Sequence, residues 1–149
     1  MRLLYLGDVM GRAGRAAVTE RLPKLRAQWK LDFIAINGEN ATGGMGLSAG
    51  HSKELFAAGP DCVTLGDHAF DQKEMLQEID RETRIIRPLN FAKDAPGRGA
   101  RIYTEPRGRK VLVVQVLGQV FMKRPFDDPF SALERVLKQY PLGGAVHAI

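Results

Sequence analysis

Asp32-Phe33-Ile34-Ala35-Ile36-Asn37-Gly38-Glu39-Asn40 is the stretch that decides the fold. A short apolar run closed by glycine and polar residues predicts a buried strand over 32–37. The same construction occurs on either side of it. Upstream, Leu3-Leu4-Tyr5-Leu6 stops at Gly7-Asp8; downstream, Asp61-Cys62-Val63-Thr64-Leu65 stops at Gly66-Asp67-His68. Between these runs the spacing turns helical. Val18, Leu22, Leu25 and Trp29 predict a helix over 13–29, which Pro23 should kink or reset. Ser48 is placed to cap a helix running to Ala58, with Gly59 as its stop. Alternating strands and helices predict βαβ units around a parallel sheet, an α/β class.

Further along, Asp71 is read as the cap of a helix whose apolar face carries Met75, Leu76 and Ile79. Ala100–Thr104 and Lys110–Leu117 predict a hairpin across Pro106-Arg107-Gly108-Arg109. A last helix over 129–140 carries a stripe of Phe130, Leu133, Val136 and Leu137. No repeat, low-complexity segment or linker divides the chain, so residues 1–149 read as one domain.

Composition sets the outer limits. The 149 residues are 44% hydrophobic, 26% charged and 7% aromatic, which excludes collagen-like, disordered and disulfide-scaffold classes. A lone cysteine, Cys62, allows no intrachain disulfide and reads as a small core hydrophobe. No apolar run reaches the roughly 18 residues of a membrane span, and a cytoplasmic protein is the default expectation. The net charge of +5 favours anionic partners such as phosphates. The basic residues are scattered, so sequence-specific nucleic-acid binding is not indicated.

In a parallel sheet, ligands bind outside the carboxyl ends of the strands. The three tips would therefore share one crevice holding the carboxylates of Asp8, Glu39 and Asp67, the carboxamide of Asn40 and the imidazole of His68. Carboxylates gathered so closely repel one another, and divalent metal relieves that repulsion. A pair of metals can also clamp a phosphate and activate water. The oxygen-rich set suits Mg²⁺ or Mn²⁺. Arg12 and Arg15 follow the first tip and could reach a phosphate. Asn90 is a weaker candidate for contact with substrate, supporting the tips by hydrogen bonds or making an Asx turn. His51 reads as solvent-exposed.

These motifs resemble the calcineurin-like metallophosphoesterases, and more closely their YmdB-type branch. The resemblance rests on Gly7-Asp8-Val9-Met10-Gly11-Arg12, Asn37-Gly38-Glu39-Asn40-Ala41 and Gly43-Gly44-Met45-Gly46. It continues through Thr64-Leu65-Gly66-Asp67-His68-Ala69-Phe70-Asp71, Arg87-Pro88-Leu89-Asn90-Phe91 and Leu117-Gly118-Gln119-Val120-Phe121-Met122. It implies an αββα sandwich with a di-metal centre of Fe or Mn that hydrolyses phosphodiesters, in this branch 2′,3′-cyclic nucleotides. By resemblance, Asp8 and Asn40 match ligands of the first metal, Glu39 the bridging carboxylate and Asp67 a ligand of the second. His68 matches the proton donor to the leaving oxygen.

Two departures shape the expectation. Asp67 stands where the family has asparagine, adding a negative charge beside the phosphate. The branch is also longer, with histidine motifs in its second half, so this chain is expected to hold only the first half of the sandwich. His147 lies outside the context of those motifs and is not counted as a ligand. The alternative function is a catalytically silent, metal- or anion-binding module that acts as an interaction partner. An uncovered sheet face is also expected to drive self-association.

Overall fold

The structure is a computed structural model describing residues 1–122 and 125–149. Its centre is a parallel sheet of β1 (Leu3–Leu6), β2 (Phe33–Asn37), β3 (Cys62–Thr64) and β4 (Ile85–Ile86), paired in sequence order. The register sets Leu6 beside Ile36 and Ile36 beside Val63, so the three glycine-ended tips emerge on one edge. The connections between strands carry α1 (Gly11–Trp29), α2 (Ala49–Ala57) and α3 (Met75–Arg81). The antiparallel hairpin of β5 (Ala100–Thr104) and β6 (Lys110–Val114) follows, and then α4 (Pro129–Gln139).

Strand side chains alternate between the two faces of a sheet. On one face Leu4, Leu6, Ile34, Ile36, Val63 and Ile85 pack with Val18, Leu22, Leu55 and Ile79 of the helices. Burial of each such side chain contributes about 1.5–3 kcal/mol. On the other face Phe33, Ala35, Cys62 and Ile86 pack against Tyr103, Val111 and Val113 of the hairpin. The α/β class and the parallel sheet agree with the sequence reading.

Several local expectations need correction. α1 is not reset at Pro23 but continues as one helix, although proline supplies no N–H at that position. Buried Val18 and Leu22 anchor the helix to the sheet just before that point. Trp29 is 46% exposed and Leu76 43% exposed, so neither belongs to the core. Asp71 does not cap α3, which begins at Met75 with Glu74 in the cap position. β6 ends at Val114, before Leu117. In α4 only Ala132 is buried, while Phe130 is 82% exposed. Leu3 and Tyr5 on the edge strand β1 are exposed too, and with Leu133 and Ile149 they border an apolar groove of about 510 Å³.

The last residues lie beside β6. Val111 pairs in parallel with Ala148, Val146 is buried, and His147 Nδ1 accepts the Lys110 backbone N–H at 3.0 Å. Among the described residues no helix is long and apolar enough to cross a membrane.

The hairpin turn closes on an ionic clasp. Glu105 Oε1 accepts the backbone N–H and the Nε–H of Arg109, each at 2.9 Å. Arg109 also lies 3.0 Å from Asp32, whose carboxylate accepts the Arg2 N–H at 2.7 Å. The Arg109 guanidinium holds the Glu105 carboxyl at about 2, well below its ordinary 4.5. A carboxyl depressed in the folded state contributes stability above its unfolded value and loses it as pH falls toward the folded one. Melting temperature followed from pH 5 to pH 2 should therefore fall less steeply in Glu105→Gln than in the parent chain. Parallel curves would remove the clasp from the account.

Candidate functional site

The tips are tied together before any side chain is considered. Val9 N–H donates to Asn37 O at 2.9 Å, Gly11 N–H to Asn40 O at 2.9 Å and Gly38 N–H to Thr64 O at 3.0 Å. This stitching holds Asp8 in the left-handed region, at φ 43°. That conformation costs a non-glycine residue roughly 1–2 kcal/mol, and aspartate tolerates it better than most. It sets the Asp8 carboxylate toward the second tip, where Asn40 Nδ2 donates to Asp8 Oδ1 at 2.7 Å.

Glu39 occupies the middle. Its carboxylate lies against Gly66, where any Cβ would overlap it. Asn37 Nδ2 donates to Oε1 at 3.2 Å, while Oε2 is buried without a hydrogen-bond partner. Burial pushes the Glu39 carboxyl above its ordinary range. Asn37 and the His68 backbone N–H pull the other way, and Asp67 adds to the rise. The Asn37 Oδ1 acceptor and the Thr64 hydroxyl, on neighbouring strands in register, are likewise buried without partners.

At the third tip Asp67 is exposed and lies 3.9 Å from His68 Nε2. His68 Nδ1 sits 2.6 Å from Asp71 Oδ2. That bond raises the imidazole above its ordinary value, with the Asp67 and Glu39 charges adding to it. The turn is pinned against the glycine-rich loop by Gln72 Nε2, which donates to Met45 O at 2.6 Å. At Gly46 a side chain would crowd His68 O and Gln72 N.

The five tip residues are thus brought to one sheet edge as two linked pairs, Asp8 with Asn40 and Asp67 with His68, on either side of Glu39. Among the described residues no three carboxylate, imidazole or thiolate groups converge closely enough to form a metal cage. The donor chemistry still suits divalent metal: oxygen ligands, a partnerless buried carboxylate oxygen and a glycine floor. The Asn40 carboxamide, which turns Nδ2 toward Asp8, would have to rotate to offer its oxygen.

The weaker candidates divide. Arg12 is exposed at the start of α1, without an ion pair among the described residues. Arg15 is committed to Glu54 at 2.9 Å and to Ala41 O at 2.5 Å. Asn90 is fully buried; Nδ2 donates to Leu117 O and Asp127 O, and Oδ1 accepts the Leu117 N–H, each at 2.9 Å. Its carboxamide clips two loops together and does not reach the tips. His51 is half-buried, with Nδ1 2.8 Å from Thr42 Oγ1, so the exposed reading fails. Burial pushes the Cys62 thiol up to about 12, consistent with an inert core residue.

Sequence reasoning passed over Asn37 and Asp71 as site residues. A polar side chain ending an otherwise apolar strand is the signal that could have marked Asn37. Asp71 stands three residues after His68, the spacing of one turn.

The chain is 38% identical over 139 residues to a Bacillus subtilis (strain 168) protein named 2′,3′-cyclic-nucleotide 2′-phosphodiesterase, covering 93% of this chain and 52% of that one. Its fold is similar to a hypothetical protein from Thermus thermophilus, at TM-score 0.86 and 43% identity, covering 93% of this chain and 53% of that one. It is also similar to a phosphatase from Mycoplasma pneumoniae, at TM-score 0.82 and 30% identity, covering 91% and 50%. The chain spans about half the length of the relatives it matches. The family model described as YmdB-like protein matches residues 4–149, and the chain belongs to that family.

Proposed function

We propose that this chain carries the ligand-bearing tips of a metal-dependent phosphodiesterase acting on 2′,3′-cyclic nucleotides. The observation that carries this reading is Glu39: a half-buried carboxylate packed against Gly66, its buried Oε2 without a partner, between the Asp8–Asn40 and Asp67–His68 pairs. Asp8, Glu39, Asn40 and Asp67 would hold two divalent ions, with Mg²⁺ or Mn²⁺ suited to the oxygens present and Fe or Mn suggested by the family resemblance. When bound, such ions neutralise the carboxylates, clamp a phosphate and activate water. The named activity of the Bacillus subtilis relative supports the substrate class.

The chain's own groups supply the remaining steps. Arg12, exposed at the start of α1 just after the first tip and without an ion pair among the described residues, binds a phosphate oxygen. Asn37 holds Glu39 in place. As water adds to phosphorus, giving up one proton to solvent, the bond to the leaving ribose oxygen breaks and the His68 imidazolium passes its Nε2 proton to that oxygen. A second reading, a binding module without turnover, is favoured by the absence of a closed cage among the described residues. Metal binding with no hydrolysis would select it.

Titration of Mn²⁺ into the purified chain, followed by calorimetry and by melting temperature, tests the metal reading. The parent chain should bind and be stabilised, since a ligand of the folded state raises its stability. Glu39→Gln should keep the fold and lose more affinity than the roughly 10–100-fold that removal of a residue merely supporting a ligand costs. Equal affinities would contradict the role given to Glu39.

Asp67→Asn removes the extra charge beside the phosphate. It should raise kcat/KM for an anionic diester by removing a like charge beside the phosphate, and loosen metal retention by removing a charge that attracts the cation. No change in either quantity would reduce Asp67 to a turn residue.

A further inference from the structure

The geometry points to Asp71 as the positioning residue of His68: its carboxylate fixes the ring's tautomer and leaves Nε2 as the nitrogen facing the strand tips. This rests on the phosphodiesterase reading for its consequence, though not for its geometry. A carboxylate only accepts, so at 2.6 Å His68 Nδ1 must be the donor. The neutral imidazole then carries its proton on Nδ1 and presents a bare Nε2 on the Asp67 side.

The structure leaves Asp71 little else to do. It is too far from Met75 to be the cap of α3, whose cap position belongs to Glu74. Among the described residues its carboxylate has no other hydrogen-bond partner. The turn that carries it is held from several sides. Asp71 N–H donates to His68 O at 3.2 Å, Ala69 is fully buried and the Phe70 ring packs 6.0 Å from Phe91. The Gln72 bond to Met45 O anchors the far side. The carboxylate is therefore presented by a rigid turn to a ring on the same turn. A surface ion pair of two flexible side chains lacks this constraint and contributes little.

The consequence is directional proton transfer. The donor form is the imidazolium, protonated on both nitrogens: the proton given to the leaving oxygen departs from Nε2, and the ring relaxes to the neutral form that keeps its Nδ1 proton on Asp71. Were Nδ1 unheld, the neutral ring would prefer to carry its proton on Nε2 and could turn either nitrogen to the crevice.

The test is the tautomer, read by ¹H–¹⁵N correlation on histidine-labelled protein at a pH where the imidazoles are neutral. With only His51, His68 and His147 in the chain, removal of His51 and His147 in turn assigns the signals. The parent chain should show His68 protonated on Nδ1. Asp71→Ala, and Asp71→Leu with similar bulk, should both move the proton toward Nε2. Asp71→Asn keeps an acceptor oxygen and should retain the Nδ1 form. An unchanged His51 signal, held by Thr42, reports the intact fold. A His68 proton that stays on Nδ1 in either folded acceptor-less variant, or is absent from Nδ1 in the parent chain, overturns the proposal.

Kinetics of the Mn²⁺-loaded chain give the second readout. In Asp71→Ala kcat should fall about 10–100-fold with KM unchanged, and Asp71→Asn should recover part of it. A parent chain with no turnover would overturn the phosphodiesterase reading, while the tautomer result would still decide the role of Asp71.

Discussion

Parallel hydrogen bonding between β1, β2 and β3 is the constraint on which everything else depends. It sends every strand the same way, so all three carboxyl ends finish on one edge. Each ends in a glycine, which lets the chain turn close to its neighbour, and each glycine is followed by a polar residue. The loops are then locked by backbone bonds across the tips, from Val9 to Asn37, Gly11 to Asn40 and Gly38 to Thr64. Carboxylates far apart in the sequence are gathered by this pairing alone.

Two carboxylates, Glu105 buried and Glu39 half-buried, show how differently the fold treats structure and site. Glu105 has the Arg109 guanidinium on one oxygen, and its carboxyl is held at about 2. Glu39 has an amide donor on one oxygen, no hydrogen bond to the other, and a carboxyl raised chiefly by burial. Among the described residues no arginine or lysine neutralises it. Acidic groups left in this condition cluster at functional sites. The adjacent orphan oxygens of Asn37 and Thr64 extend the same deficit of donors.

The sheet was legible in the sequence because an apolar run ended by glycine and a polar residue has one economical reading, repeated three times. The tips were legible for the same reason. What failed was what depends on partners distant in sequence. The stripe of α4 has a clear helical period, but Leu133 and Val136 are only partly covered and Phe130 stays exposed. Pro23 does not reset α1, which continues from Gly11 to Trp29 with Val18 and Leu22 buried. Asn90 was marked by its motif, yet its role as a clip between the loops at Leu117 and Asp127 is visible only in three dimensions. Asp71 has the composition of a cap and the geometry of a histidine partner, a choice that spacing alone does not decide.

The account stands on metal at the strand tips, and anomalous diffraction from crystals grown with Mn²⁺ tests it most directly. It predicts anomalous density between Asp8, Glu39, Asn40 and Asp67, with their oxygens within the roughly 2.0–2.6 Å of hard-cation coordination. An Asn40 carboxamide turned from its bond to Asp8 should accompany it. Tips without anomalous density in Mn²⁺-saturated crystals, with the Asn40–Asp8 bond intact, would contradict it.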